Sequence, residues 1–329
     1  MSKSPTVENA SLETLAGIAQ FVENELDQSK KAIQSNLEIY VPFLQEVIEY
    51  INTTSKSPLR SITLALSARL FSYSGEMLPH VSSVLEYLNT ATALHQKIVM
   101  TEEFRRQQKE MLSIWGNEAS VLLGDYLLSI SFKTMTRLGN FPLLEIIAQA
   151  TQSIARGQVL SISPFSWDSA ESHALEVIQN KKASLYKAAA KSGAVLGGAD
   201  PEVQQALSQY GLNLGVGIQL KKDLAIVNDP HLFLSSLKIG HTLFPLCRLM
   251  EEMQLQNQQD ALKQILDRDE ISEHDLQKIS SFFKQYQIFD YTRFQVNQYL
   301  QKSREALVPL KEMDPSILHK LAQLALEME

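Results

Sequence analysis

The chain has 329 residues, with 30 Lys and Arg against 37 Asp and Glu, and its formal net charge is −7. This acidic balance argues against a general nucleic-acid-binding protein, which would need a basic surface. The 13 glycines and 11 prolines are too few for a strand-and-turn architecture or for low-complexity linkers.

The sequence also bears on the cellular compartment and on membrane association. Cys247 is the only cysteine, so no internal disulfide can form, which fits a reducing compartment. The segment 1–10 is polar and lacks the apolar core of a signal peptide. No apolar run approaches the roughly 18–20 residues that span a bilayer. We therefore expect a cytoplasmic protein with a flexible segment 1–10 and no membrane span.

Apolar residues recur at helical spacing from Ser11 onward. Ser11 is a candidate N-cap for a first helix, and 30–52 predicts a second helix that is kinked or broken near Pro42. The segment 59–73 is apolar on nearly all sides and predicts a buried central helix. Pro79 is expected to open the helix that follows.

The helical pattern continues through the second half of the chain. Gly139-Asn140 predicts a helix stop, and Phe141-Pro142 predicts the start of a helix that runs through 162. Asp200 and Pro201 suit the start of a long apolar helix over 203–227. Further helices are expected over 174–196, 232–255, 260–266, 273–286, 291–307 and 316–328. The sequence therefore predicts an all-α protein in which 11–329 form a single large helical bundle.

Several sequence blocks follow one another in a fixed order. The segment 115–126 reads WGNEASVLLGDY, and 157–160, 181–185 and 210–219 read GQVL, KKASL and YGLNLGVGIQ. A pair of arginines, Arg105 and Arg106, precedes them. Taken together, the blocks resemble those of the trans-polyprenyl diphosphate synthase family, most closely its long-chain, octaprenyl-type branch. The resemblance extends from about 55 to 245 and implies the all-α isoprenoid (terpenoid) synthase fold.

The chain departs from that family at its two aspartate-rich motifs. In the family, the carboxylates of these motifs bind magnesium, which holds an allylic diphosphate and neutralises the departing pyrophosphate. Here the acidic positions of the two motifs are filled by Gln96, Lys97 and Met100 and by Lys222, Asp223 and Ile226.

The loss of these acids has a direct chemical consequence. Asp223 is the one acid retained, and by itself it is a weak metal ligand. Losing ~4–6 kcal/mol of charge stabilisation would slow the chemistry ~10³–10⁴-fold. We therefore expect little or no prenyl transfer by this chain, no cofactor, and magnesium only if residual activity exists.

The resemblance also implies a set of diphosphate-binding residues, and a guanidinium suits bidentate contact with phosphate oxygens. Each has an alternative: the paired arginines could form a solvated helix face, and Gln219 could be an interior amide. For Lys181 we slightly favour a surface position over a ligand. The expected diphosphate-binding residues are Arg60, Arg105, Arg106, Lys181 and Gln219.

Two acidic positions that face each other in the family are basic here, at Lys97 and Lys222. One interpretation is a metal-free anion pocket, in which lysines replace magnesium as the counter-charge of a diphosphate. The other is an ion pair across the bundle, such as Lys97 with Asp223, that closes the former mouth of the site. We favour the ion pair, because a site converted to a new use usually keeps more polar groups.

These observations lead to one main functional hypothesis and two alternatives. The main hypothesis is a non-catalytic or regulatory family member. It would act as a homodimer, or as the heterodimeric partner of a catalytic polyprenyl synthase, through the surface 119–132. The first alternative is an active trans-prenyltransferase that condenses isopentenyl diphosphate with an allylic diphosphate through an altered site. The second is a module that binds an isoprenyl diphosphate without any partner enzyme.

Overall fold

The computed structural model describes residues 12, 14–37, 58–97, 116–238, 240–268, 270–310 and 313–325. These residues form helices and their connections and contain no strand, so the predicted all-α class is confirmed. The helices are α1 (Leu15–Phe21), α2 (Glu23–Asn36), α3 (Leu59–Arg69), α4 (Met77–Lys97), α5 (Gly116–Leu138), α6 (Phe141–Ile162), α7 (Ala170–Ile178), α8 (Ser184–Leu196), α9 (Pro201–Asn228), α10 (Pro230–Lys238), α11 (Phe244–Leu255), α12 (Asp260–Leu266), α13 (Glu273–Gln285), α14 (Ile288–Glu305) and α15 (Ser316–Leu324).

Local signals set many of the helix ends as predicted. Gly139 ends α5 with a φ of 63°, a left-handed conformation that glycine adopts without strain. Asn140 then caps α6, because its side chain accepts a hydrogen bond from the backbone N–H of Leu143 at 3.1 Å. Pro201 occupies the first turn of α9, where its missing N–H costs nothing.

The amino-terminal expectations need correction. The first helix is capped by Thr14, whose hydroxyl accepts the N–H of Gly17 at 3.1 Å, so Ser11 is not its N-cap. The second helix begins at Glu23 rather than Lys30, because its polar face supplies acidic residues to the first turn. The proposed kink at Pro42 lies outside the described residues.

Two predicted segments differ from the observed helices in the second half. The segment 232–255 is two helices, α10 and α11, separated by a turn in which Gly240 has a φ of 62°. The segment 174–196 begins earlier, at Ala170, and includes a π-helical turn, Gln179–Ala183, between α7 and α8.

α3 is the buried central helix that its composition predicted. Glycines let α8 approach closely on two sides: a Cβ at Gly193 would lie 2.7 Å from the carbonyl oxygen of Leu64 in α3. A Cβ at Gly211 in α9 would lie 2.3 Å from the carbonyl oxygen of Tyr186. The three helices α3, α8 and α9 are therefore held together at backbone distance, and they form the frame of the site described below.

Within the described ranges, no helix combines the length and the apolar character that crossing a bilayer demands. The division into a flexible segment 1–10 and one domain over 11–329 stays a prediction.

Candidate functional site

A cavity of about 680 Å³ opens between α4, α6, α9, the π-helical turn and the segment before α11. It brings together residues that are up to 183 positions apart in the sequence, from Arg60 to Leu243. Its wall contains these residues singled out from the sequence: Arg60, Gln96, Lys181, Gln219, Lys222, Asp223 and Ile226. Lys181 is half-buried in this wall, and its role as a diphosphate ligand stays a prediction.

The π-helical turn places two consecutive lysines, Lys181 and Lys182, in the cavity wall. Two glycines from neighbouring helices leave room for this turn. A Cβ at Gly157 would lie 2.8 Å from the backbone nitrogen of Lys181, and one at Gly215 would lie 2.7 Å from the Cα of Ala183. The turn therefore packs against α6 and α9 at backbone distance.

The two lysines differ in their contacts. Lys181 Nζ donates to the hydroxyl of Ser161 at 3.3 Å. Lys182 has no hydrogen-bond acceptor and no ion-pair partner among the described residues. Burial lowers the pKa of Lys181 to about 8. Burial also lowers the pKa of Lys182 to about 8, with further lowering by the nearby charges of Lys181, Lys222 and Arg60.

Asp223 is the one carboxylate in the described cavity wall, and it is only 2% exposed. Its Oδ1 accepts a hydrogen bond from Gln219 Nε2 at 2.7 Å, and its Oδ2 accepts the backbone N–H of Phe244 at 3.1 Å. Phe244 is the first residue of α11, so Asp223 satisfies one of the amino-terminal donors of that helix. Burial raises the pKa of Asp223 to about 6, although both hydrogen bonds oppose this change.

Arg60 is held by an acidic partner beside the cavity. Its Nη2 donates to Glu86 Oε2 at 2.8 Å, and the two side chains are 11% and 5% exposed. The guanidinium also lies 5.9 Å from the ring centroid of Tyr186. Glu86 balances the charge of Arg60 and fixes its position, while the Arg60 Nε has no hydrogen-bond partner among the described residues.

The cavity wall also contains Lys222, Ile226 and His241. Burial lowers the pKa of Lys222, and the charge of Arg60 adds to this effect. Burial together with the charges of Lys181 and Lys182 lowers the pKa of His241, so His241 is neutral at pH 7. His241 therefore adds no positive charge to the cavity.

Some predicted residues cannot be placed. Met100, Arg105 and Arg106 lie outside the described residues, and nothing is described of the Lys97 side chain. The favoured ion pair of Lys97 with Asp223 therefore stays a prediction. Gln96 does reach the cavity wall, where its Nε2 is buried and has no partner among the described residues.

The described residues of the cavity wall do not fit a magnesium cluster. In the described ranges, no three His, Cys, Asp or Glu side chains come close enough to hold a metal ion. Both oxygens of Asp223 already accept hydrogen bonds, and the cations Lys182 and Lys222 lie near it. Magnesium prefers several oxygen ligands, and a cationic surrounding repels it.

Sequence reasoning did not assign roles to Lys182, Glu86 or Gly157. The available signal for Lys182 was the second lysine of KKASL, which stands where the family has threonine. For Glu86 and Gly157 the signal was absent from the local sequence, because their contacts, Arg60 and Lys181, are on other elements.

Comparison with known proteins identifies the family of the chain and agrees with its fold. Residues 41–282 match the family model for polyprenyl synthetase, and the chain belongs to that family. The octaprenyl diphosphate synthase of Escherichia coli (strain K12) is 32% identical over 215 residues, which are 65% of this chain and 67% of that one. Heptaprenyl diphosphate synthase component 2 of Geobacillus stearothermophilus is 27% identical over 204 residues, 62% of each chain.

A solved structure covers the whole chain. It is a polyprenyl synthase from Caulobacter crescentus CB15 complexed with calcium and isoprenyl diphosphate. The TM-score is 0.83 at 25% identity, with 100% of this chain and 99% of that one covered. The isoprenoid synthase fold and the resemblance to trans-polyprenyl diphosphate synthases are thus confirmed.

Proposed function

We propose that this chain is a non-catalytic polyprenyl synthetase that serves isoprenoid biosynthesis as the partner subunit of a catalytic homologue. The observation that carries the proposal is the state of the second acidic motif. Its retained acid, Asp223, accepts the first N–H of α11, while Lys222 and Ile226 occupy the two other acidic positions and line the cavity. A site built in this way would bind a diphosphate without a metal cluster. Ionisation of an allylic diphosphate depends on such a cluster.

The energetic argument concerns the transition state. Carbon–oxygen cleavage moves negative charge onto the departing pyrophosphate, and only interactions that strengthen during that step raise the rate. Single ammonium charges stabilise that growing charge less than divalent ions bound directly to the phosphate oxygens. Losing ~4–6 kcal/mol of selective stabilisation corresponds to a rate lower by ~10³–10⁴.

The exposed face of α5 supports the partnership. Leu122 is 68% exposed and Phe132 is 41% exposed, and both lie within the segment 119–132. Large apolar side chains grouped on one helix face are typical of a protein interface. The match to a relative named as one component of a heptaprenyl diphosphate synthase supports the same idea. The partner we propose is a second polyprenyl synthetase chain that has both acidic motifs.

A prenyl-transfer assay tests the proposal. The purified chain is incubated with magnesium, labelled isopentenyl diphosphate and farnesyl diphosphate, alone and with candidate catalytic homologues. We expect no elongated product from the chain alone, and a changed rate or product length when the correct homologue is present. Elongated product from the chain alone would overturn the proposal and favour the altered-site prenyltransferase.

A further inference from the structure

The cavity holds more positive charge than its own carboxylate balances. Lys181, Lys182 and Lys222 line it together with one acid, Asp223, and the charge of Arg60 is already matched by Glu86. Within the described residues, neither Lys182 nor Lys222 has an acceptor, and the only contact of the Lys181 amine is a neutral hydroxyl. Lys181 and Lys182 are half-buried and Lys222 is exposed. Unpaired ammonium groups at half-buried positions carry a desolvation cost, and an anion relieves that cost.

The same cavity has an apolar side. Ile178, Ile218 and Ile226 line it, and so do Val159 and Ile162 of α6. Val159 is 62% exposed and Ile162 is 78% exposed, so two branched apolar side chains face solvent at a cavity wall. An apolar group that covers them would gain the free energy of removing this surface from water. The lysines and the apolar wall together match a ligand with an anionic head and an apolar chain.

We propose that the cavity binds an isoprenoid-type diphosphate directly on Lys181, Lys182 and Lys222, without a metal ion. The proposal rests on the proposed function, since it takes the site as one that holds such a ligand without converting it. The lysines replace the divalent ions as the counter-charge of the diphosphate, and Ile226 and Ile162 contact the chain.

This arrangement reverses the usual effect of magnesium. A diphosphate complexed with magnesium carries less negative charge, so its attraction to the lysines is weaker. The metal ion would also lie close to the ammonium groups of Lys182 and Lys222, which repel it. Magnesium should therefore weaken binding, whereas a site that uses metal ions would bind more tightly in its presence.

The test is a calorimetric titration of the full chain in EDTA, once with inorganic pyrophosphate and once with farnesyl diphosphate. We expect both to bind, and farnesyl diphosphate to bind about tenfold or more tightly than pyrophosphate because of its apolar chain. Added magnesium should weaken both affinities several-fold. The Lys182→Met substitution should weaken pyrophosphate binding by about tenfold or more. This is the change in affinity expected from the loss of one hydrogen bond to a charged group.

The control is Lys187→Met, which removes the same charge from an exposed position on α8. It should leave the affinity unchanged. Lys182→Met should also raise the unfolding temperature of the ligand-free protein, because it removes an unpaired charge, so weaker binding cannot be ascribed to misfolding.

Three results would overturn the inference: no binding in EDTA, tighter binding with magnesium, or equal affinity for Lys182→Met and Lys187→Met. Equal affinities for pyrophosphate and farnesyl diphosphate would overturn the role of the apolar wall. None of these results depends on turnover. Failure of the proposed function is seen separately, as elongated product in the transfer assay.

Discussion

Gln219 and Asp223 lie one turn apart on α9, and the amide nitrogen of Gln219 is 2.7 Å from Oδ1 of Asp223. The other carboxylate oxygen accepts the first N–H of α11. The retained acid of the second motif thus joins two helices and has both oxygens engaged. These contacts give Asp223 a structural role, which agrees with the metal-free site that we propose.

Replacing Asp223 with Asn should change how stability depends on pH. Burial raises the folded-state pKa of Asp223 from 3.8 to about 6. A carboxyl group whose pKa is raised by folding stabilises the folded state fully when the pH is below its unfolded-state pKa. That contribution is lost as the pH rises through the folded-state pKa of about 6. The free energy of unfolding of the natural protein should therefore fall by about 2–4 kcal/mol relative to Asp223→Asn between pH 4 and pH 7.

Urea unfolding at several pH values measures this difference. Asp260→Asn, at an exposed carboxylate of α12, serves as the control and should run parallel to the natural protein. If the free energy of unfolding of Asp223→Asn also ran parallel to that of the natural protein over this pH range, the predicted burial effect on Asp223 would be contradicted.

Removing the negative charge of Glu86 should destabilise the protein. Glu86→Gln leaves Arg60 with its charge at a position that is 11% exposed, and such a break costs about 3–5 kcal/mol. The double variant Arg60→Met with Glu86→Leu should recover most of this loss, since no charge then stays buried. Chemical denaturation gives the free energies.

The exposed pair of Arg293 and Asp290, whose side chains are 60% and 77% exposed, provides the comparison. Asp290→Asn should cost less than about 1 kcal/mol. An equally small effect of Glu86→Gln would mean that solvent reaches the Arg60 guanidinium.

Replacing Gly157 with Ala should disturb both stability and the site. The added methyl group would lie 2.8 Å from the backbone nitrogen of Lys181, so the π-helical turn has to shift. Alanine usually stabilises a helix interior by about 0.5–1 kcal/mol relative to glycine, but here overpacking should cost about 1–3 kcal/mol. Pyrophosphate affinity should fall along with the unfolding temperature. Gln152→Ala, at an exposed position of α6, should change neither, and a gain in stability for Gly157→Ala would refute the close packing.

Charges on the exposed face of α5 should prevent association. Leu122→Glu combined with Phe132→Glu places carboxylates where we propose that a second polyprenyl synthetase chain packs, and burying them is unfavourable. Sedimentation should show a protein of lower mass than the natural chain, alone or with its partner. Leu255→Glu, at a side chain that is 64% exposed on α11, should leave the mass unchanged. The same result for both variants would place the interface elsewhere.

Elements with strong local signals were predicted closely. α6 begins after Asn140 and ends at Ile162 because the cap, the proline and the apolar period all act within the segment itself. The bounds of α12 were likewise predicted. The division at Gly240 was missed, because nearby apolar residues continue the helical period on both sides of the turn.

The sequence predicted which residues belong to the site, but not which contacts they make. Ordered motifs located Arg60, Lys181, Lys222 and Asp223, and the cavity does bring them together. The extra residue of the π-helical turn depends on glycines of other helices. No periodicity in 179–183 could reveal it.

The lowered pKa values of Lys181 and Lys182, both about 8, make the charge of the cavity depend on its occupant. An anion beside these amines favours their protonated forms, so above pH 8 each ligand that enters draws protons in from solution. Four other titratable groups line the same cavity: Arg60 and Lys222 add positive charge, Asp223 adds negative charge, and His241 is neutral at pH 7. Ligand capture and proton uptake are then one event, and its heat will vary with the ionisation enthalpy of the buffer.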